Sequence, residues 1–522
     1  MISTLPHTIH HSAYLDPGHE AFRFAEATLS FEELVRQSNQ LAHLLLERGA
    51  GKGDRIGIYL GRGLETAVSV FGIMQAGAVY VPLDPLAPAR YTAWVIRDCG
   101  IKMLITQNSL QRKIKNILEQ VGSLDLIAGL ADPEVPGALS WDMIFEYPDS
   151  IPQVQISEDD LAYIMYTSGS TGLPKGIMHT HSSGLSYARL SGQLYGVNPD
   201  DRLGSHAPLH FDISTMAYFT APLRGATSVI IPEPHIKLPA SLTQLMQSEK
   251  LTIWYSAPLA LIHILSFGDL ENRDLSSLRW VLFGGEPFPP KYLRGLMNRL
   301  PDARFCNVYG PAEVNQCTNY QVTGAPEPNH PIPLGKIWDE TEMMVVDELD
   351  HPVQPGMPGE LLITSTTMMK GYWNQPTLTS SSFFIHSTNE GEKVYYRTGD
   401  LVKLNNRQDL VFLGRKDRQI KSRGYRVELE MVEAQLMAIE EIAEAAVFTV
   451  PDKQGGNQIE AAVILKTGLH LETNEIRNKL NELLPAYSIP SRIHLTADLP
   501  RTSTGKINHP VLVQTFINSQ HD

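Results

Sequence analysis

A chain of 522 residues is too long for one core, so two or more domains are expected. Its 43 basic against 57 acidic side chains leave a formal charge of −14, which argues against a nucleic-acid partner and means that any anion must be held by local donors. Cys99, Cys306 and Cys317 lack metal-ligand spacing, no apolar run approaches the roughly 20 residues of a membrane span, and the first residues lack a basic stretch followed by an apolar core; a reducing, cytoplasmic setting without membrane or secretion is expected.

In chain order, Ser30 followed by Glu33 reads as a capping box that opens a helix running to about Leu46. Residues 55–60 read as a strand, 64–75 as a helix stopped by Gly77, 78–85 as a strand ended by prolines, and 102–106 as a further strand. Strands alternating with helices predict an α/β fold with largely parallel sheets.

Residues 166–176 place two threonines, two serines, three glycines and Lys175 in one short run. Glycines let the backbone approach a ligand, while hydroxyls, backbone N–H groups and Lys175 can ring a phosphate. The order of residues differs from a GxxxxGK[ST] loop opening a helix. An apolar run enters at 161–166 and an extended one leaves at 176–181, so strand–loop–strand is predicted. A surface turn that binds nothing is the plain alternative.

A helix is read over 182–194. Asp212 then precedes a helical run over 216–223 and reads either as an N-cap or as the counter-ion of a substrate ammonium. The strand at 280–283 ends in Gly284-Gly285-Glu286, the kind of strand end at which open α/β sheets bind ligands. In residues 305–313, Tyr309 can stack on a purine, Asn307 can bond its edge, and Glu313 can hold Mg²⁺; a turn with a buried tyrosine and a solvated glutamate is the alternative. A strand begins at 359–363. Asp400 can accept from ribose hydroxyls or simply sit in a turn. A strand through Leu413 gives way to the charged run 415–418, a domain boundary or only a solvated run. Beyond it a small α+β unit is predicted: helix 427–439, strands 445–450 and 460–465, helix 474–484 and strand 492–495. Lys506 lies on a Gly-containing loop near the C-terminus, where a lysine is ordinarily solvated.

Taken in this order from about Leu29 to Lys506, these motifs resemble those of the adenylate-forming superfamily: acyl-CoA synthetases, luciferases and the adenylation domains of nonribosomal peptide synthesis. The resemblance implies a large N-terminal domain over about 1–414, a hinge at 415–417 and a small mobile C-terminal domain over 418–522. Residues 166–176 are similar to the family's phosphate loop. Phe211-Asp212-Ile213-Ser214 is similar to its FDxS motif, whose aspartate holds the amino group of an amino acid. Residues 307–313 are similar to N-x-Y-G-P-T-E, with Ala312 in place of the threonine. Asp417 takes the hinge position, and residues 500–506 resemble a terminal P-x-T-x-x-G-K motif, with His509 standing where many relatives have arginine.

By that resemblance ATP or AMP would be held by Thr167, Ser168, Gly169, Ser170, Thr171, Gly172, Lys175, Gly284, Gly285, Glu286, Asn307, Val308, Tyr309, Gly310, Asp400, Phe412, Arg415 and Lys506. Thr167, Lys175, Glu313 and Lys506 would serve catalysis, with Glu313 on Mg²⁺. Asp212, Ile213, Met216, Tyr255, Leu282, Gly284, Val308, Gln316 and Cys317 would line the acyl pocket. That set most resembles stand-alone prolyl-adenylate ligases, so the implied reaction is ATP-dependent activation of an amino acid, L-proline first and other small apolar ones next. The acceptor would be the phosphopantetheine thiol of a separate carrier protein, since few residues follow Lys506. Three alternatives stand beside it: an acyl- or aryl-CoA ligase in which Asp212 is only a cap, a nucleotide-binding sensor without activity, and a kinase, which the missing Walker loop disfavours.

Overall fold

The computed structural model describes all residues except Met1, 170–172, 328–329, 389–390, 423–424, 453–455, 502–506 and 519–522. The chain divides into two compact units. One comprises Met1–Pro85, Ile96–Tyr166 and Gly176–Lys416, and the other Leu86–Val95, Thr167–Lys175 and Asp417–Asp522. No helix among the described residues is long and apolar enough to cross a membrane.

The first unit is built on three sheets. The largest has nine strands; the run from Arg304–Tyr309 through Trp280–Gly284, Ile253–Ser256, Arg202–Ser205 and Thr227–Ile230 to Glu20–Phe24 is parallel, with antiparallel strands added at both ends. Such strands, covered on both faces, read as continuous apolar runs. On one face Trp254, Val281, Phe283 and Phe305 pack with Leu261 and Ile264 of the helix Pro258–Phe267 and Leu293 and Leu296 of Pro290–Arg299. On the other, Tyr255, Leu282, Cys306 and Val308 pack with Tyr187 and Leu190 of the helix His181–Leu194.

A second sheet of eight strands carries the parallel series Leu161–Thr167, Val79–Pro82, Arg55–Ile58, Met103–Ile105, Leu126–Ala128 and Ala138–Leu139. Lys175–Thr180 lies next to Leu161–Thr167 in it, so a strand stands on each side of the hydroxyl-rich stretch, as its flanks predict. The helix Phe31–Glu47 packs against the helix Leu64–Gln75 and the Glu20–Phe24 edge of the first sheet. Its capping box is formed: Ser30 Oγ accepts from Glu33 N at 3.2 Å, and Glu33 Oε2 accepts from Ser30 N at 2.9 Å. The helix Leu64–Gln75 has the bounds read from its pattern.

The third sheet is wholly antiparallel. Thr341–Val346, Gly359–Ser365, Gly391–Leu404 and Phe383–Thr388 lie in that order, and Leu410–Arg415 pairs with Gly391–Leu404. This sheet goes beyond the largely parallel architecture expected from the sequence.

The second unit holds the ribbon Gln419–Ser422 with Tyr425–Glu428, the helix Leu429–Met437, and a sheet of Ile442–Pro451, Asn457–Leu465 and Arg492–Leu495. The helix read as starting at Val427 starts two residues later. Val427 and Glu428 instead pair with Ile420 and Gln419 as strand, an environment that β-branched Val427 suits. The run at 216–223 also differs from a plain α-helix: Met216–Thr220 is π-helical and only Ala221–Leu223 is α. Such turns occur often at functional sites.

One buried ion pair ties the pocket-bearing strands together. Asp201, 2 % exposed, accepts from Arg279 Nε at 2.7 Å and from Thr252 Oγ1 at 2.7 Å. Arg279 Nη1 also donates to the Tyr195 carbonyl at 2.8 Å. Burial alone would raise the Asp201 carboxyl, but the bonds from Arg279, Thr252 and the Asn198 backbone outweigh it and hold the group below its ordinary value. Arg279→Met should therefore destabilise the first unit by about 3–5 kcal/mol, the cost of a buried charge left without its partner. Urea denaturation checks this; a loss under ~1 kcal/mol would mean that solvent reaches Asp201.

Candidate active site

Strand register assembles one wall. Tyr255 lies opposite Leu282, Leu282 opposite Cys306, and Gly284 opposite Val308. Side chains alternate along a strand, so these five residues share a face. Gly284 has no room for a larger residue: a Cβ there would lie 2.3 Å from the Val308 carbonyl oxygen, with the Tyr255 hydroxyl 3.5 Å away. Gly285 follows with φ of +94°, which ends the strand in a turn that favours glycine. Half-buried Glu286 comes next.

Ile213 and Met216 pack against this wall, and with Tyr255 they line one cavity. Asp212 is the first residue of the 3₁₀ turn Asp212–Ser214; the cap position belongs to Phe211 and carries no side-chain bond. Asp212 Oδ1 accepts from Ile213 N at 2.9 Å, and the Asp212 carbonyl accepts from Thr215 Oγ1 at 2.6 Å. The carboxylate acts on three buried tyrosines. Burial pushes the Tyr163, Tyr187 and Tyr255 hydroxyls up, and the charge of Asp212 adds to each. Tyr163 and Tyr187 carry no motif in the sequence; only the packing of their elements brings them to Asp212.

A second group surrounds Tyr309. Its hydroxyl donates to Asp400 Oδ2, and Arg415 Nη1 donates to Asp400 Oδ1, so the three side chains form one chain of contacts. The strand pairing that sets Asp400 opposite Arg415 makes this possible. Phe412 packs in the same cluster as Tyr309 and Cys317. Asn307 Nδ2 donates to the Pro333 carbonyl at 2.8 Å. Gly310 permits a close chain crossing, since a Cβ there would lie 2.0 Å from the Asn315 carbonyl oxygen. Cys317 N donates to the Tyr309 carbonyl at 2.9 Å, so Cys317, expected to line the acyl pocket, packs with this group and not with the wall residues Tyr255, Leu282, Cys306 and Val308.

Glu313 is fully buried rather than solvated and accepts from the Tyr372 hydroxyl at 2.7 Å. Near it stands His179, stacked on Tyr163 with ring centres 4.8 Å apart and paired through Nε2 with the Ala312 carbonyl at 2.9 Å. Burial lowers the His179 pKa to about 4, against the partial compensation of Ala312 and the Glu313 charge, so the ring is neutral at pH 7. Tyr372 and His179 escape a reading of the sequence, because neither lies in a motif that marks it.

Thr167, Ser168, Gly169 and Lys175 belong to the second unit, as does Asp417. Ser168 and Lys175 are buried, and Thr167 Oγ1 is buried without a hydrogen-bond partner. Asp417 Oδ1 accepts from Gln419 N at 3.2 Å. Ser170, Thr171, Gly172 and Lys506 lie outside the described residues.

Residues 9–373 match the family of AMP-binding enzymes, and residues 431–506 match the C-terminal domain of AMP-binding enzymes. The chain is 32 % identical over 507 residues to an L-proline–[L-prolyl-carrier protein] ligase of Pseudomonas fluorescens, covering 97 % of each chain. It is 32 % identical over 497 residues to gramicidin S synthase 2 of Aneurinibacillus migulanus; the match covers 95 % of this chain and 11 % of that protein. The fold is that of the amide bond synthetase McbA from Marinactinospora thermotolerans, with a TM-score of 0.87 at 22 % identity over 98 % of this chain and 99 % of that one.

The neutral histidines set a pH dependence. His179 and His181 are pushed to about 4 and His206 to about 3, each chiefly by burial, from an ordinary 6.5. The unfolded chain takes up these protons first, so stability should fall as pH drops from about 6.5 towards 4. Thermal melts across that range should show the decline, and His179→Gln should flatten it; parallel profiles for variant and wild type would mean that His179 is charged in the fold.

Proposed function

Because the chain belongs to the AMP-binding enzyme family, we propose that it is a ligase that activates an amino acid with ATP and loads it onto the phosphopantetheine thiol of a separate carrier protein, in nonribosomal peptide or related biosynthesis. The observation that carries the reading is Asp212, a carboxylate set among buried tyrosines beside the apolar residues Ile213, Met216, Leu282 and Val308. That is an environment for one ammonium and a compact neutral side chain. L-proline is the first choice, supported by the near full-length likeness to the prolyl-carrier protein ligase.

In the first half-reaction a carboxylate oxygen of the amino acid attacks the α-phosphorus and pyrophosphate leaves. In the second a thiol sulfur attacks the acyl carbon, AMP leaves, and the thiol proton is released. Catalysis is mainly positioning and charge stabilisation. Residues 167–172 and Lys175 hold the phosphates, while Gly284, Gly285 and Glu286 border the nucleotide. Tyr309, whose ring is fixed through Asp400, offers a face to adenine, with Asn307, Val308, Gly310 and Phe412 beside it. Asp400 and Arg415 take the ribose. Glu313 fits a Mg²⁺ site, since a buried carboxylate is a hard oxygen ligand and this ion keeps phosphates and waters as its others. Mg²⁺ when bound neutralises phosphate charge. Lys506 bridges the acyl carboxylate and the α-phosphate, and the domain over 418–522 turns about Asp417 between the half-reactions. A cytoplasmic place is part of this reading, and none of the three cysteines forms a disulfide.

Pyrophosphate exchange with a panel of amino, fatty and aryl acids tests the assignment. Amino acids should support it, and Asp212→Ala should lower kcat/KM by about 10²–10⁴-fold, the loss of an ammonium partner worth about 3–5 kcal/mol. Asp212→Asn, which keeps the shape but not the charge, should also be impaired. Exchange confined to fatty or aryl acids would make the chain an acyl- or aryl-CoA ligase.

Lys506→Ala separates the two steps. Exchange should fall about 10²–10³-fold, as on loss of one transition-state donor. Carrier loading from synthetic aminoacyl adenylate should stay near wild type. Normal exchange would return Lys506 to a solvated lysine, and loss of both activities would indicate damage to its domain.

A further inference from the structure

Buried polar atoms without partners are few in native interiors, and each calls for an explanation. Several occur together beside the wall formed by Tyr255, Leu282 and Val308. Gln316 is 3 % exposed, yet neither its Oε1 nor its Nε2 is hydrogen-bonded. The hydroxyls of Tyr187 and Tyr195 are buried and make no hydrogen bond of good geometry, although Thr215 and Ser191 lie near the first and Cys306 near the second. Both tyrosines pack in the cluster that holds Tyr255, Met216 and Ile213. The Tyr255 hydroxyl faces the Gln316 amide closely enough to favour its own ionised form slightly, outside strict hydrogen-bond geometry, and it lies 3.5 Å from where a Cβ on Gly284 would stand. The backbone of Gln316 is held in place: its Cα lies 2.7 Å from where a Cβ on Gly310 would stand.

An apolar substrate would leave this amide unmatched. A primary amide offers one carbonyl acceptor and two N–H donors, and a tyrosine hydroxyl offers one donor and accepts as well. Apart from Asp212, the described residues named for this pocket are uncharged, so a charged side chain would find no counter-ion among them. A neutral group that both donates and accepts meets Gln316 on its own terms, and the bulk of Met216, Ile213 and Tyr255 keeps the rest of the side chain compact.

We infer that the activated amino acid carries an uncharged hydrogen-bonding group, a hydroxyl before a carboxamide, on a compact frame, and that the Gln316 amide with the Tyr187 hydroxyl reads it. This rests on the amino-acid-activating reading above and moves the preference from proline itself to a proline-sized acid with a polar substituent. Sites built to bond a polar group reject the analogue that lacks it much more strongly than apolar pockets reject an added hydroxyl.

The test is pyrophosphate exchange by the wild-type full chain with matched pairs: 4-hydroxy-L-proline and L-proline, L-threonine and L-valine, L-asparagine and L-leucine. The best substrate should be the polar member of its pair, ahead in kcat/KM by about tenfold or more. Gln316→Met, which keeps the volume and removes the amide, should invert that ratio. The ratio is internal to each protein, so it does not depend on how much of the variant folds, and the wild-type panel decides alone if the variant is lost. An apolar member that wins in the wild type, with a ratio that Gln316→Met does not move, overturns the inference while leaving amino-acid activation intact. Exchange with no amino acid but with a fatty or aryl acid overturns the amino-acid reading instead.

Discussion

The pocket depends on strand register. Tyr255, Leu282, Gly284, Cys306 and Val308 meet on one face because Ile253–Ser256, Trp280–Gly284 and Arg304–Tyr309 pair in a single parallel alignment. A slip of one residue would turn all five to the other face and present Trp254, Phe283 and Phe305 in their place. Two features hold the alignment. Gly284 tolerates no side chain against Val308, and the Asp201–Arg279 pair ties the strand at Arg202 to the segment entering Trp280–Gly284. The pocket's shape is therefore a property of the sheet, and its loops need only carry Asp212 to the edge.

Charge is handled locally throughout. The formal charge of −14 says nothing about where an anion or an ammonium would sit. The charge of Asp212 acts on the buried Tyr163, Tyr187 and Tyr255. Asp400 is bound from both sides by Tyr309 and Arg415, and Glu313 is buried against Tyr372. Carboxylates held by such bonds are fixed in orientation, and in the proposed reaction that would lower the reorganisation needed when charge develops at phosphorus.

Regular elements with local signals were legible in the sequence. The capped helix at Phe31–Glu47, the helix Leu64–Gln75, the strands on either side of the hydroxyl-rich stretch and the strand Arg492–Leu495 rest on caps, periodicity and glycine placement within a few residues. The antiparallel sheet was not, because its centre pairs Gly359–Ser365 with Gly391–Leu404 across the intervening helix Pro376–Ser382 and strand Phe383–Thr388. Val427 misled because its pairing with Ile420 overrides a helical pattern that begins only at Leu429.

By itself the sequence determined which side chains the proposed chemistry can draw on: a hydroxyl- and glycine-rich stretch at 166–176, Asp212 in its motif, and Tyr309, Glu313 and Asp400 in theirs. These are short contiguous patterns, and their meaning survives without coordinates. Tertiary structure alone decided that Tyr163 and Tyr187 flank Asp212, that Glu313 is buried against Tyr372 beside a neutral His179, and that Gln316 stands without a partner. Those facts arise from packing between residues tens to more than a hundred positions apart. Burial sets their protonation and hydrogen-bonding state, and burial is a property of the assembled fold that no local pattern records.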